Sequence, residues 1–115
     1  MKNRTRIYIL FSLLTLILIS CDKDKVSITP NCADTVSFNN QVLPIIQNNC
    51  LGCHDVGNGT GYVFTSHANI SASANAILGS MQGSGYQLMP QGGPALNDSL
   101  VQLVECWIAQ GKLNN

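Results

Sequence analysis

Two thiols and an imidazole stand together in Cys50-Leu51-Gly52-Cys53-His54. On a helical turn, side chains three and four positions apart share a face, so Cys50, Cys53 and His54 can converge on one bound object. Three chemistries use a Cys-x-x-Cys pair. A thioredoxin-type dithiol wants a βαβ setting, and no such pattern surrounds this one. A zinc site wants a second Cys or His pair at ligand spacing, which the chain lacks. The directly following His is instead the mark of covalent haem c attachment. Two thiols suit thioether bonds to the two haem vinyl groups, and His54 then offers a ring nitrogen to the iron as proximal ligand.

A haem iron so held has a sixth position to fill. Residues 79–94 (GSMQGSGYQLMPQGGP) contain five glycines and two prolines, a loop whose shape must be held by something other than secondary structure. An iron ligand can do this, and Leu88-Met89-Pro90 supplies one. The Met89 thioether is a soft, neutral donor that favours ferrous iron. Pro90 fixes the backbone after it and biases Met89 away from helix. The plainer role for Met89 is a gap-filling apolar side chain. Met81 is a second thioether without a rigid neighbour. His67 would make a bis-His site, although its expected place is on or capping the middle helix.

The elements that must position these groups read as short helices. Residues 37–49 form the first, with Ser37 as N-cap and Phe38, Val42, Ile45, Ile46 and Asn49 on one stripe. Pro44 lies too deep for the first turn and removes a donor for the Asn40 carbonyl, so a kink or restart is expected there. This helix runs directly into Cys50. The glycine-rich residues 55–64 form a loop ending in Tyr62, Val63 and Phe64, which either cover a cofactor edge or join the core. Thr65 or Ser66 caps a weak middle helix through about Ala74, with a further turn near 75–78. Asn97 caps the last helix, Asp98 favours its dipole, and Gly111 ends it. Leu96, Leu100, Leu103, Val104, Trp107 and Ile108 give that helix a broad apolar face, which should pack across the first helix. Trp107 reads as core, with contact to the cofactor or electron relay as the less economical roles.

Residues 1–20 read as a targeting segment. Lys2, Arg4 and Arg6 precede an apolar run from Ile7 to Ile19, too short for a comfortable membrane span and suited to a signal peptide. The ending Leu18-Ile19-Ser20-Cys21 is similar to a bacterial lipobox, which implies cleavage before Cys21 and acylation of its sulfur and amino group. Several acyl chains on one residue hold a protein stably at a membrane. Residues 21–36 then serve as a polar tether, with Cys32 where the fold begins, and residues 37–115 form the domain. The mature chain of about 95 residues keeps Lys23, Lys25 and Lys112 against Asp22, Asp24, Asp34, Asp55, Asp98 and Glu105, a net charge of −3. No basic patch remains for nucleic acid. Of the five cysteines one is lipidated and two bind haem, leaving Cys32 and Cys106, a pair that an oxidising compartment would bridge.

From Phe38 to Leu113 the chain resembles a class I cytochrome c domain. The resemblance rests on Cys50-Leu51-Gly52-Cys53-His54, on Leu88-Met89-Pro90, and on the terminal helix with Trp107. Phe38-x-x-x-Val42-x-Pro44-Ile45 is similar to small lipoprotein cytochromes of the bacterial envelope. The resemblance implies an all-α fold of three to four short helices around one covalent haem c, with His54 and Met89 as axial ligands. It also implies one-electron exchange with redox partner proteins of the envelope, by a carrier rather than a catalyst. The other functions compatible with a haem site are a peroxidase-like or gas-binding enzyme or sensor, and an electron-wiring subunit of a larger membrane redox complex. The chain departs from the family in lacking its Gly–aromatic pair where first and last helices cross.

Overall fold

The computed structural model describes residues 31–115. The expected signal segment, Cys21 and the first part of the expected tether lie outside those residues. Every regular element described is helical, and no strand occurs among the described residues. The elements are a π-turn Phe38–Val42 continuing into α1 (Leu43–Asn49), then α2 (His67–Ala72), α3 (Ala74–Gln82) and α4 (Asp98–Ala109). No helix among the described residues is long and apolar enough to cross a membrane.

The start of the first helix follows from its caps and from Pro44. The Ser37 hydroxyl accepts from the Asn40 N–H at 3.3 Å, while the Ser37 N–H donates to Gln41 Oε1 at 2.8 Å. This reciprocal arrangement satisfies donors that the first turn leaves free. The turn is wide, with the Leu43 N–H reaching back to the Phe38 carbonyl, and α1 then starts with Pro44 in its first turn. A proline there lacks only an N–H that a helix start does not need. The expected restart is thus a π-turn relaxing into an α-helix.

α4 packs against both the π-turn and α3, and α2 packs against α3. The core is built from Phe38, Val42, Ile45 and Ile46 of the first helix, Ile70 of α2, Ile77 and Met81 of α3, and Val104 and Trp107 of α4. Trp107 is fully buried, its ring 5.5 Å from that of Phe38, and its Nε1–H donates to the Leu113 carbonyl at 2.8 Å. Phe38 and Trp107 therefore meet between the first and last helices. Ser66 and Asn97 cap α2 and α4 through the Asn69 and Ser99 N–H groups. α4 ends in a Schellman motif: Gly111 has φ +93°, its N–H donates to Ile108, and the Lys112 N–H donates to Trp107.

α3 runs four residues beyond the turn expected near 75–78, through Gly79 to Gln82 and into the expected loop. Glycine inside a helix costs about 1 kcal/mol relative to alanine. Here the Tyr86 ring lies where a Gly79 Cβ would be, so packing offsets that cost. Gly83, at φ +62°, closes the helix, and the Ser84 N–H donates to the Gly79 carbonyl.

The packed body also extends ahead of Ser37. Cys32 and Cys106 are joined by a disulfide, with their Cα atoms 5.4 Å apart. The Gln110 side chain accepts from the Val36 N–H and donates to the Asp34 carbonyl, both at 2.8 Å. Val36 is buried. Residues 32–36 are thus fastened along α4 by one covalent and two hydrogen bonds. At the other end, Asn115 accepts from the Phe38 and Asn39 N–H groups at 2.8 Å, covering the start of the first helix.

Candidate functional site

α1 carries its hydrogen bonding into the Cys50–His54 segment. The Cys50 N–H still donates to Ile46, and the Cys53 and His54 N–H groups both donate to the Cys50 carbonyl, at 3.1 and 2.9 Å. The motif is therefore one closed turn at the helix end. Neither Cys50 nor Cys53 is in a disulfide. Cys50 is half-buried and Cys53 is exposed. Burial pushes the Cys50 thiol up to about 11. A dithiol oxidoreductase needs the opposite shift, toward a reactive thiolate. No group of three or more His, Cys, Asp or Glu residues among the described residues is placed to hold a metal ion.

The turn opens onto a cleft of about 210 Å³ between the end of α1, the 54–64 loop, α3 and the 86–90 segment. Cys50, His54, Met81 and Met89 all line it, with Phe64 and Ile77 forming apolar wall. No Asp, Glu, Lys or Arg lines the cleft. Cys53 is not among the lining residues, so the expected convergence holds for Cys50 and His54 and leaves Cys53 at the surface beside them.

His54 is held by the loop that follows it. The Phe64 N–H donates to the His54 carbonyl at 2.9 Å, closing residues 54–64 into one unit. The imidazole lies 4.7 Å from the Phe64 ring, with 30° between their planes. Both of its hydrogen-bond contacts among the described residues are at Nδ1: the Tyr62 carbonyl at 3.2 Å and the Thr60 hydroxyl at 3.1 Å. A carbonyl only accepts, so Nδ1 carries a proton, and the neutral ring then has its lone pair on Nε2. Of the three aromatic-end residues, Tyr62 and Phe64 line the cleft and Val63 does not.

Met89 reaches the cleft because its loop is tied back to α3. The Met89 N–H donates to the Ser80 carbonyl at 2.9 Å, folding Gly83–Leu88 into a compact excursion. The Met89–Pro90 bond is cis. Met81 lines the same cleft from α3, buried in the core. His67 is elsewhere. Its ring packs edge-on against Phe38 at 4.6 Å, and its Nε2 lies 3.0 Å from the Lys112 carbonyl. That nitrogen is already engaged, and His67 is absent from the cleft lining. Trp107 is absent from the lining as well.

Sequence reasoning did not find Thr60, Ser80 or Tyr86. A threonine between two glycines is a signal for a side chain that bonds its own loop, and Gly59-Thr60-Gly61 is such a place. The Ser80 role is carried by a main-chain carbonyl and leaves no mark on residue type. No family model matches the chain, and neither a curated protein nor a solved structure matches it. What the fold and site define together is a small all-α domain with one apolar, uncharged cleft, presenting a thiol, an imidazole and two thioethers.

Proposed function

We propose that this chain is a monohaem c-type cytochrome that carries one electron at a time between proteins of the bacterial envelope, held at a membrane by lipid on Cys21. The observation that carries the reading is the meeting of Met89, distant in sequence, with Cys50 and His54 of one motif on a single uncharged cleft. The donor set fits haem c. Two free thiols stand one turn apart, a neutral imidazole protonated at Nδ1 has its lone pair on Nε2, and a neutral thioether lines the same cleft. Cys50 and Cys53 would hold the group covalently, and His54 and Met89 would supply ligands to its iron.

Bound haem supplies an iron that gains and loses a single electron. The chain does the rest. Phe64, Ile77 and Met81 keep water from the inner wall, and a dry wall disfavours the more highly charged ferric state. The Met89 thioether acts in the same direction. Tethering by its N–H to Ser80 keeps Met89 at the cleft, where its thioether would occupy the iron and leave small molecules no open position. A carrier needs this closure, whereas an enzyme or gas sensor needs it open.

Spectroelectrochemical titration of the purified protein tests the assignment. A single one-electron wave is expected, with a reduced form that does not take up carbon monoxide. Ready uptake of carbon monoxide by the wild-type protein would move the function to ligand binding or peroxide chemistry.

A further inference from the structure

We infer that the Thr60 hydroxyl is a positioning group for His54, fixing the ring tautomer and tuning how strongly Nε2 donates to the iron. The inference rests on the haem reading above and concerns a residue outside every motif that led to it.

Thr60 Oγ1 has three contacts. It lies 3.1 Å from His54 Nδ1, donates to the Tyr62 carbonyl at 3.0 Å, and accepts from the Tyr62 N–H at 3.4 Å. A threonine hydroxyl has one proton and two lone pairs. Its proton goes to the Tyr62 carbonyl, which can only accept. The lone pairs then face two N–H groups, those of Tyr62 and of His54 Nδ1. Every capacity of the hydroxyl is used, in one orientation, and that orientation is compatible only with a protonated Nδ1. The Tyr62 carbonyl, 3.2 Å from the same nitrogen, requires the same tautomer.

Two acceptors therefore share the Nδ1 proton. Partial transfer of that proton toward them makes the imidazole a stronger donor at Nε2, and a stronger donor favours ferric iron. The Tyr62 carbonyl belongs to the backbone and is present whatever the side chains. Thr60 is the adjustable acceptor, and it also stiffens the 60–62 turn from which that carbonyl projects. It counters the dry wall and the thioether, which both favour the ferrous state.

Thr60→Val removes the hydroxyl and keeps the shape, and Thr60→Ser restores it with a smaller side chain. With haem attached, Thr60→Val is expected to shift the ferrous-to-ferric ratio about threefold upward, in line with losing one of two neutral hydrogen bonds to a ligand. That is about 28 mV, at about 59 mV per tenfold for one electron. Thr60→Ser should return the potential to the wild-type value. In reduced wild-type protein with ¹⁵N-labelled histidine, His54 Nδ1 should carry a proton that exchanges slowly with solvent. Equal potentials for wild type and Thr60→Val, an equal shift in both variants, or a rapidly exchanging Nδ1 proton would each overturn the role of Thr60. The exchange measurement decides should Thr60→Val fail to mature. Wild-type protein without covalent haem overturns the underlying reading too, and so separates the two failures.

Discussion

Opening the Cys32–Cys106 bridge should destabilise the protein by about 4 kcal/mol while leaving its native fold in place. The bridged residues are 74 apart in sequence. The chain-entropy relation for a loop of that length gives about 4 kcal/mol at 25 °C, through the freedom an uncrosslinked unfolded chain regains. The Cα separation of 5.4 Å lies within the ordinary range for disulfides, so no misplacement of the backbone subtracts from it. The native side should change little, because Gln110 still holds Asp34 and Val36 and the Val36 side chain stays buried. For a domain of this size each kcal/mol is about 4–8 °C, so the melting point should fall by some 15–30 °C. Denaturant unfolding of the Cys32→Ala/Cys106→Ala variant measures the loss. Wild-type protein unfolded with reductant is the control, since it retains both sulfurs and creates no cavity at buried Cys106. A loss below about 1 kcal/mol, or two reactive thiols from Cys32 and Cys106 in denatured, unreduced protein, would refute the staple.

Three further outcomes follow from the site and its supports. Met89→Ala should lose the weak red charge-transfer band of Met–haem bonding, fall in potential and bind small ligands, while Met81→Ala should keep the band; the visible spectrum decides, and retention of the band by Met89→Ala contradicts the assignment. His67→Ala should cost about 1–3 kcal/mol through its lost hydrogen bond and ring contacts with Phe38 and Trp107, with an unchanged haem spectrum, as thermal melts and absorption will show. Gly79→Ala would gain about 1 kcal/mol in an unobstructed helix. Here its Cβ overlaps the Tyr86 ring, so the variant should instead be destabilised by about 1–3 kcal/mol, and adding Tyr86→Ala should remove most of that penalty in a double-mutant cycle.

What the sequence disclosed was what short-range rules govern. Ser37, Ser66 and Asn97 cap the helices they precede because a side-chain oxygen beside free N–H groups acts locally. Pro44 dictates a restart by lacking a donor, although the form taken, a wide turn closed by the Leu43 N–H on the Phe38 carbonyl, was not legible. The apolar face of α4 was visible as a period, and its partner at Trp107 is Phe38. The run of α3 through Gly79 was not legible. Its cause, the Tyr86 ring, comes from the following loop, and glycine by itself argues for ending a helix. His67 stands on the middle helix as expected, but its partner was hidden for a similar reason, since the Lys112 carbonyl that engages it belongs to the far end of the domain. At the site, Cys50, His54 and Met89 announced themselves by type and spacing. The contacts that aim them, Thr60 on His54 and the Ser80 carbonyl on Met89, depend on loop closure and became visible only in three dimensions.

Covalent haem is the claim on which the rest depends, and peptide mass mapping after export in a host with cytochrome c maturation tests it directly. The peptide containing Cys50 and Cys53 should carry the mass of one haem, survive organic extraction and retain haem-peroxidase staining in denaturing gels. Cys50→Ala/Cys53→Ala should abolish all three signals. Wild-type protein whose Cys50 and Cys53 are recovered as free thiols, or joined to each other, would contradict the account.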